Sequence, residues 1–328
     1  MKIKKPLIVL FLVVAAFFAG PRIPVDDTVQ PIAIADGPVE RATPRQAAEY
    51  VAAKEALFTD IRPGTSKEIV WASGRRNTRT PLSIVYIHGF SATKQEIRPV
   101  PDEVAAAVRA NIFYTRLTGH GRTNEAMGEA TVKAWVNDVS EAVAVGEAIG
   151  QKVVLVGTST GATLALWAAT QPELVRNIAA VVLISPNFGP HDPRADMLLW
   201  PWGKQILHAV QGDTFRWEPA NEDHARFWTR AYPTDALLPM MASVRMTAEA
   251  DLEGIQVPVF VAFSPEDQVV NPSKTQDALA RMDAALLDTM VVLNSMDRNE
   301  HVIAGDILSP NTSEAITRRI VTFLRTTQ

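Results

Sequence analysis

The 328-residue chain contains no cysteine. Disulfides, thiolate nucleophiles and cysteine-ligated zinc or iron–sulfur sites are thereby excluded. H-E-x-x-H, G-x-x-x-x-G-K-[ST] and G-x-G-x-x-G are also missing, so no motif argues for a catalytic metal, a nucleotide or a dinucleotide, and no cofactor is expected. Positive charge is not in excess: 32 Lys and Arg against 36 Asp and Glu leave a net charge of −4. Beyond the first few residues there is no basic run, and nucleic acid is not an expected partner. With 47% hydrophobic and 21% charged residues, the composition is that of a globular chain whose stability must come from packing.

What is present centres on Val153 to Leu166. Lys152 to Val156 is a β-branched run suited to a buried parallel strand, and Ala162 to Ala169 is a run of good helix formers. Between them stands Gly157-Thr158-Ser159-Thr160-Gly161, a G-x-S-x-G turn. Flanking glycines permit a turn sharp enough to force the serine into a strained conformation with its hydroxyl above the sheet. Without the strand and helix on either side, the same pattern would be an inert small-residue turn. Ser159 is the candidate nucleophile, and the helix N-terminus behind it suits an anionic intermediate.

In chain order, Lys2, Lys4 and Lys5 precede an uncharged apolar run from Pro6 to Gly20. This pattern predicts an export signal, either a signal peptide removed near residue 20 or an uncleaved membrane anchor, with the body outside the cytoplasm, periplasmic or held at the inner membrane. Residues 21–42, with four prolines and no period, read as a tether, and the folded domain is expected from residue 43. Thr43 with Gln46 forms a capping box that opens a helix running to Ala56. Strands are expected at Ile69 to Ala72, Leu82 to Ile87, Asn111 to Thr115, Ala180 to Ser185, Val257 to Phe263 and Leu287 to Leu293. Helices are expected from about Lys94 to Ala110, Thr131 to Ile149 and Ser313 to Leu324. This alternation predicts an α/β fold, a doubly wound, mostly parallel sheet with ligands at the carboxyl ends of its strands. Residues 187–246, with interleaved aromatics and no β-branched run, predict an inserted helical cap whose aromatics partly face a pocket.

The loop His88-Gly89-Phe90-Ser91 follows a central strand, so the Phe90 N–H and the Thr160 N–H are the candidate oxyanion pair. His88 and His120 read as hydrogen-bonded turn histidines, and His191, His208 and His224 as lid or surface residues. His301 is the histidine that lies beyond the last strand. For the carboxylate that orients it, strand-end position favours Asp267, with Glu266 and Asp297 as alternatives.

Taken together, His88-Gly89-Phe90, Gly119-His120-Gly121, the Ser159 turn, Ser264-Pro265-Glu266-Asp267-Gln268-Val269-Val270 and His301 resemble the α/β-hydrolase superfamily over most of residues 60 to 328. Within it the chain looks like bacterial carboxylesterases and monoacylglycerol lipase-like enzymes. The Thr158-Ser159-Thr160 context departs from members with a bulkier residue or methionine there. The resemblance implies Ser159 as nucleophile, His301 as base, Asp267 as orienting acid and an acyl-enzyme formed from a small-molecule ester. It leaves the substrate open. A thioesterase, an amidase or aminopeptidase using Glu218 or Glu222, and a catalytically silent binding protein are the alternatives.

Overall fold

The structure, a computed structural model, describes residues 5–30, 32–34, 37–38 and 42–327. Seven strands form the central sheet: β1 (Glu68–Val70), β2 (Thr80–Ile87), β3 (Asn111–Tyr114), β4 (Gly150–Thr158), β5 (Ile178–Ile184), β6 (Val259–Phe263) and β7 (Leu287–Val291). Their order is β7-β6-β5-β4-β2-β3-β1. Only β1 runs antiparallel, against β3. β2 and β4 occupy the middle and are buried on both faces, which is why they read as unbroken apolar runs.

Side chains alternate between two cores. Val85, Ile87, Val153 and Leu155 point to one face, where they meet Trp135 and Trp167. Ile84, Tyr86, Val154 and Val156 point to the other. The helices are α1 (Lys5–Phe18), α2 (Pro44–Glu55), α3 (Val100–Val108), α4 (Val132–Ile149), α5 (Thr160–Ala169), α6 (Gly203–Gln211), α7 (Glu222–Phe227), α8 (Leu237–Glu249), α9 (Pro272–Leu279) and α10 (Pro310–Thr326). α4, α5 and α8 cover the first face, and α3 and α10 the second. The capping box of α2 is formed in both directions: Gln46 N–H donates to Thr43 Oγ1 at 3.3 Å and Thr43 N–H to Gln46 Oε1 at 2.9 Å.

Three stretches differ from the expectation. Residues 94–99 are turns, and α3 begins only at Val100, because Pro99 disfavours helical geometry in the residue before it, whereas Pro101 is tolerated in the first turn. The expected helical cap also holds a ribbon in which Thr214–Arg216 pairs with Ala231–Pro233, while α8 lies on α5 as part of the body. The segment after residue 20 is not free of the domain. Ile23, Val25, Val29 and Ile32 pack on the core and Ile34 is buried. Within it, Ala33–Ile34 pairs antiparallel with Gly37–Pro38, and the apolar residues ahead of that pair find a surface on the body. At its start, Trp202 N–H donates to the Pro21 carbonyl at 2.8 Å, and the Trp202 indole N–H reaches the Ala16 and Phe17 carbonyls at the end of α1. No helix among the described residues is long and apolar enough to cross a membrane.

Candidate active site

Ser159 joins β4 to α5 with φ 52° and ψ −118°. Such a backbone costs ~1–3 kcal/mol and persists only where its surroundings impose it. Here they do: Ser159 N–H donates to the Ile184 carbonyl at 2.9 Å, and the Ser159 carbonyl accepts from Ala162, Thr163 and Asn187 N–H groups at 3.0, 3.1 and 3.2 Å. A Cβ on Gly157 would stand 2.4 Å from the Gly161 carbonyl oxygen, so the turn requires glycine there. The serine is 6% exposed, at the floor of a cavity of about 400 Å³.

His301 lies in the loop between β7 and α10 and lines the same cavity. Its Nδ1 is 2.7 Å from Oδ2 of Asp267, which follows β6. The other oxygen, Oδ1, accepts from the Val269 and Val270 N–H groups at 2.8 and 2.9 Å, so the whole carboxylate is fixed. Donation to a carboxylate places the proton on Nδ1 and leaves Nε2 as an acceptor. Burial disfavours the imidazolium, but the charge and hydrogen bond of Asp267, with Glu96 and Asp297 nearby, outweigh it and raise the His301 pKa above 6.5. Of the other two acids, Glu266 is exposed, and Asp297 Oδ2 accepts from the backbone N–H groups of His301 and Val302 rather than from the ring.

The loop after β2 is held by two histidines whose rings touch at a tilt, with centroids 4.9 Å apart and planes at 55°. His88 Nε2 accepts from Leu117 N–H at 3.1 Å, so its Nδ1 carries the hydrogen and donates to the Gly89 carbonyl at 2.9 Å. That contact fixes the Gly89–Phe90 peptide by its oxygen. The Phe90 N–H on the same peptide has no hydrogen-bond partner among the described residues, and Thr160 N–H, the first of α5, has none within its helix by position. Both residues line the cavity. His120 Nε2 accepts from Ser91 N–H at 3.0 Å, fixing the next peptide. Burial keeps both rings neutral, taking His88 down to about 4 and His120 well below its ordinary value.

Around the mouth, the cap aromatics divide. Phe215, Trp217, Trp228 and Tyr232 line the cavity, whereas Trp200 and Trp202 stand outside it against the end of α1. His224 also lines it, between Trp217 and Trp228, and burial lowers its pKa to about 4. His191 sits beside the acid loop, with Nδ1 3.1 Å from the Asp267 carbonyl, while His208 lies outside among Asp213 and Asp235. Of the charged cap residues only Glu218 reaches the cavity; Glu222, Asp223, Arg194, Arg216, Arg226 and Arg230 do not.

Sequence reasoning missed Glu96, which is buried and lines the cavity. It also missed Arg298 and Asn299, which enter from the loop before His301. No motif marks any of the three.

A family model described as the alpha/beta hydrolase family matches residues 84–303. The chain belongs to the alpha/beta hydrolase family. A thermostable monoacylglycerol lipase from Bacillus sp. (strain H-257) is 28% identical over 192 residues, which span 58% of this chain and 73% of that protein. Among solved structures, one from a study of the metagenome-derived lipolytic enzymes LipS and LipT superposes with a TM-score of 0.67 at 20% identity, over 81% of this chain and 99% of the other. A soluble variant of monoglyceride lipase from Saccharomyces cerevisiae superposes at 0.60 with 14% identity, over 81% and 93%. The likeness is to hydrolases of the carboxylesterase and lipase kind, and the expected parallel sheet is the one these structures share.

Proposed function

We propose that this alpha/beta hydrolase cleaves small-molecule carboxylic esters through an acyl-enzyme on Ser159. The observation that carries the reading is the 2.7 Å contact of His301 Nδ1 with Asp267, in the loops that bring His301 and Ser159 into one cavity. His301 Nε2 takes the Ser159 proton as Oγ attacks the ester carbon. The Phe90 and Thr160 N–H groups receive the charge that develops on oxygen. His301 then protonates the departing alcohol, and water releases the acid. The names of the relatives support an acyl ester substrate, as do the four cap aromatics, which form an apolar slot. On this reading the first 20 residues direct the body out of the cytoplasm, either as a signal peptide removed near residue 20, leaving it periplasmic, or as an uncleaved anchor at the inner membrane. The three lysines and the apolar run support that placement.

A second reading has one specific observation behind it. Glu218 lines the cavity and is suited to hold a substrate ammonium group, as an aminopeptidase requires. p-Nitrophenyl esters of increasing chain length, assayed beside aminoacyl p-nitroanilides, separate the two. Each buried methylene is worth ~0.8 kcal/mol, so kcat/KM on the esters rises by up to about fourfold per CH₂ until the slot is full. A flat ester profile with efficient anilide cleavage would replace the esterase reading with the peptidase one.

A further inference from the structure

Glu96 is 2% exposed, yet it lines the cavity that holds Ser159 and His301. Its two oxygens have different surroundings. Oε2 accepts from Gly89 N–H at 2.8 Å and from the Tyr86 hydroxyl at 2.9 Å, which ties the carboxylate to the loop carrying Phe90. Oε1 has no hydrogen-bond partner among the described residues. It stands 2.6 Å from where a Cβ on Gly89 would be, a point itself 3.2 Å from Ser159 Cβ. It is not among the fully buried polar atoms that lack a partner, and since Glu96 lines the cavity, Oε1 is left to accept from a donor inside that space.

We propose that Glu96 Oε1 accepts a hydrogen bond from the water that hydrolyses the acyl-enzyme, an inference that rests on the Ser159 mechanism above. Water has two O–H bonds. With one directed to His301 Nε2 and the other to Glu96 Oε1, its lone pair is turned toward the acyl carbon and its rotation is lost before attack. The proton count is simple. The water oxygen bonds to the acyl carbon as one proton passes to His301 Nε2, and the charge on the carbonyl oxygen collapses as the bond from carbon to Ser159 Oγ breaks. His301 returns its proton to Oγ, and the product leaves as a carboxylic acid. Glu96 gains and loses no proton in the cycle. Acylation makes no use of Oε1, because the nucleophile in that step is Ser159 itself.

The charges support this division. Burial pushes the Glu96 carboxyl up to about 7, against the opposing effect of the Gly89 and Tyr86 hydrogen bonds and of His301. Asp267 and Asp297 act on His301 from its other neighbours, and His224, Glu218 and Arg298 stand in the same cavity. Deacylation therefore requires two protons to be absent, from His301 and from Glu96, whereas acylation requires only the first.

The test is Glu96→Gln on the full chain with a p-nitrophenyl ester, followed by rapid mixing and by intact mass spectrometry. The amide oxygen of Gln can still accept from Gly89 and Tyr86, but its NH₂ now faces the cavity and cannot accept from water. The expected result is a stoichiometric p-nitrophenol burst at a rate within a few-fold of wild type. Steady turnover then falls on the order of a hundredfold, with the acyl adduct on Ser159 accumulating. Added hydroxylamine restores turnover by attacking the adduct directly. Equal loss of burst rate and turnover would make Glu96 only an anchor of the loop and overturn the proposal, as would unchanged turnover. Should Glu96→Gln not fold, wild type alone decides: the acid limb of deacylation approaches a slope of two and that of acylation a slope of one, and identical limbs would overturn the proposal. Ester turnover that survived in Ser159→Ala would remove the Ser159 reading itself, a result distinct from either.

Discussion

Gly161 and Ile87 approach so closely that a Cβ on the glycine would lie 2.0 Å from the isoleucine carbonyl oxygen and 2.6 Å from that of His88. The first turn of α5 is thus pressed against the end of β2, and the distance between the Thr160 and Phe90 N–H groups is set by backbone contact. No flexible side chain can yield there. Gly161→Ala is expected to cost about 1–3 kcal/mol in urea denaturation and to lower kcat more than it raises KM. An unchanged denaturation midpoint with unchanged kcat would contradict this coupling.

The choice of acid is open to direct comparison. Asp267→Asn keeps the shape but favours the wrong imidazole tautomer, and kcat is expected to fall by about 10⁴. Glu266→Gln, at an exposed side chain, is expected to stay within a few-fold of wild type. Equal effects in a purified-enzyme assay would transfer the role.

The pH profile follows from His301. Its pKa is raised above 6.5, and only the neutral ring accepts a proton, so kcat/KM is expected to fall on acidification with a midpoint above 6.5. Asp297 contributes to that rise through charge. Asp297→Asn retains an oxygen for the two N–H groups and removes the charge, so the acid limb is expected to move to lower pH. A limb that stayed in place would show that the Asp297 charge does not act on the ring.

Much of the fold was legible because it is written in local signals. The apolar runs of β2, β4 and β5, the capping box at Thr43 and the glycines around Ser159 each follow from near neighbours in the chain. What was not legible depends on distant contacts. Lys94-Gln95-Glu96 reads as the polar side of a helix, and only the return of Gly89 and Tyr86 against Glu96 gives that carboxylate a place in the cavity. The pairing of Phe215 with Tyr232 joins two short segments with no strand pattern of their own, and their rings stack at 5.4 Å. The packing of Ile23, Val25, Val29, Ile32 and Ile34 likewise depends on a surface that forms elsewhere in the chain.

The division of the cap aromatics predicts where chain-length selectivity resides. Trp217→Ala enlarges the slot and is expected to flatten the gain in kcat/KM per methylene, whereas Trp200→Ala, outside the cavity, leaves it as in wild type. Ester series measured on both variants decide this, and equal profiles would place the acyl chain elsewhere.

Labelling with a fluorophosphonate, followed by digestion and mass spectrometry, tests the central claim most directly. The account predicts one equivalent of adduct on the peptide containing Ser159, loss of ester hydrolysis in proportion to labelling, and neither labelling nor turnover in Ser159→Ala. Ester turnover that survives complete labelling, or an adduct on another residue, would contradict it.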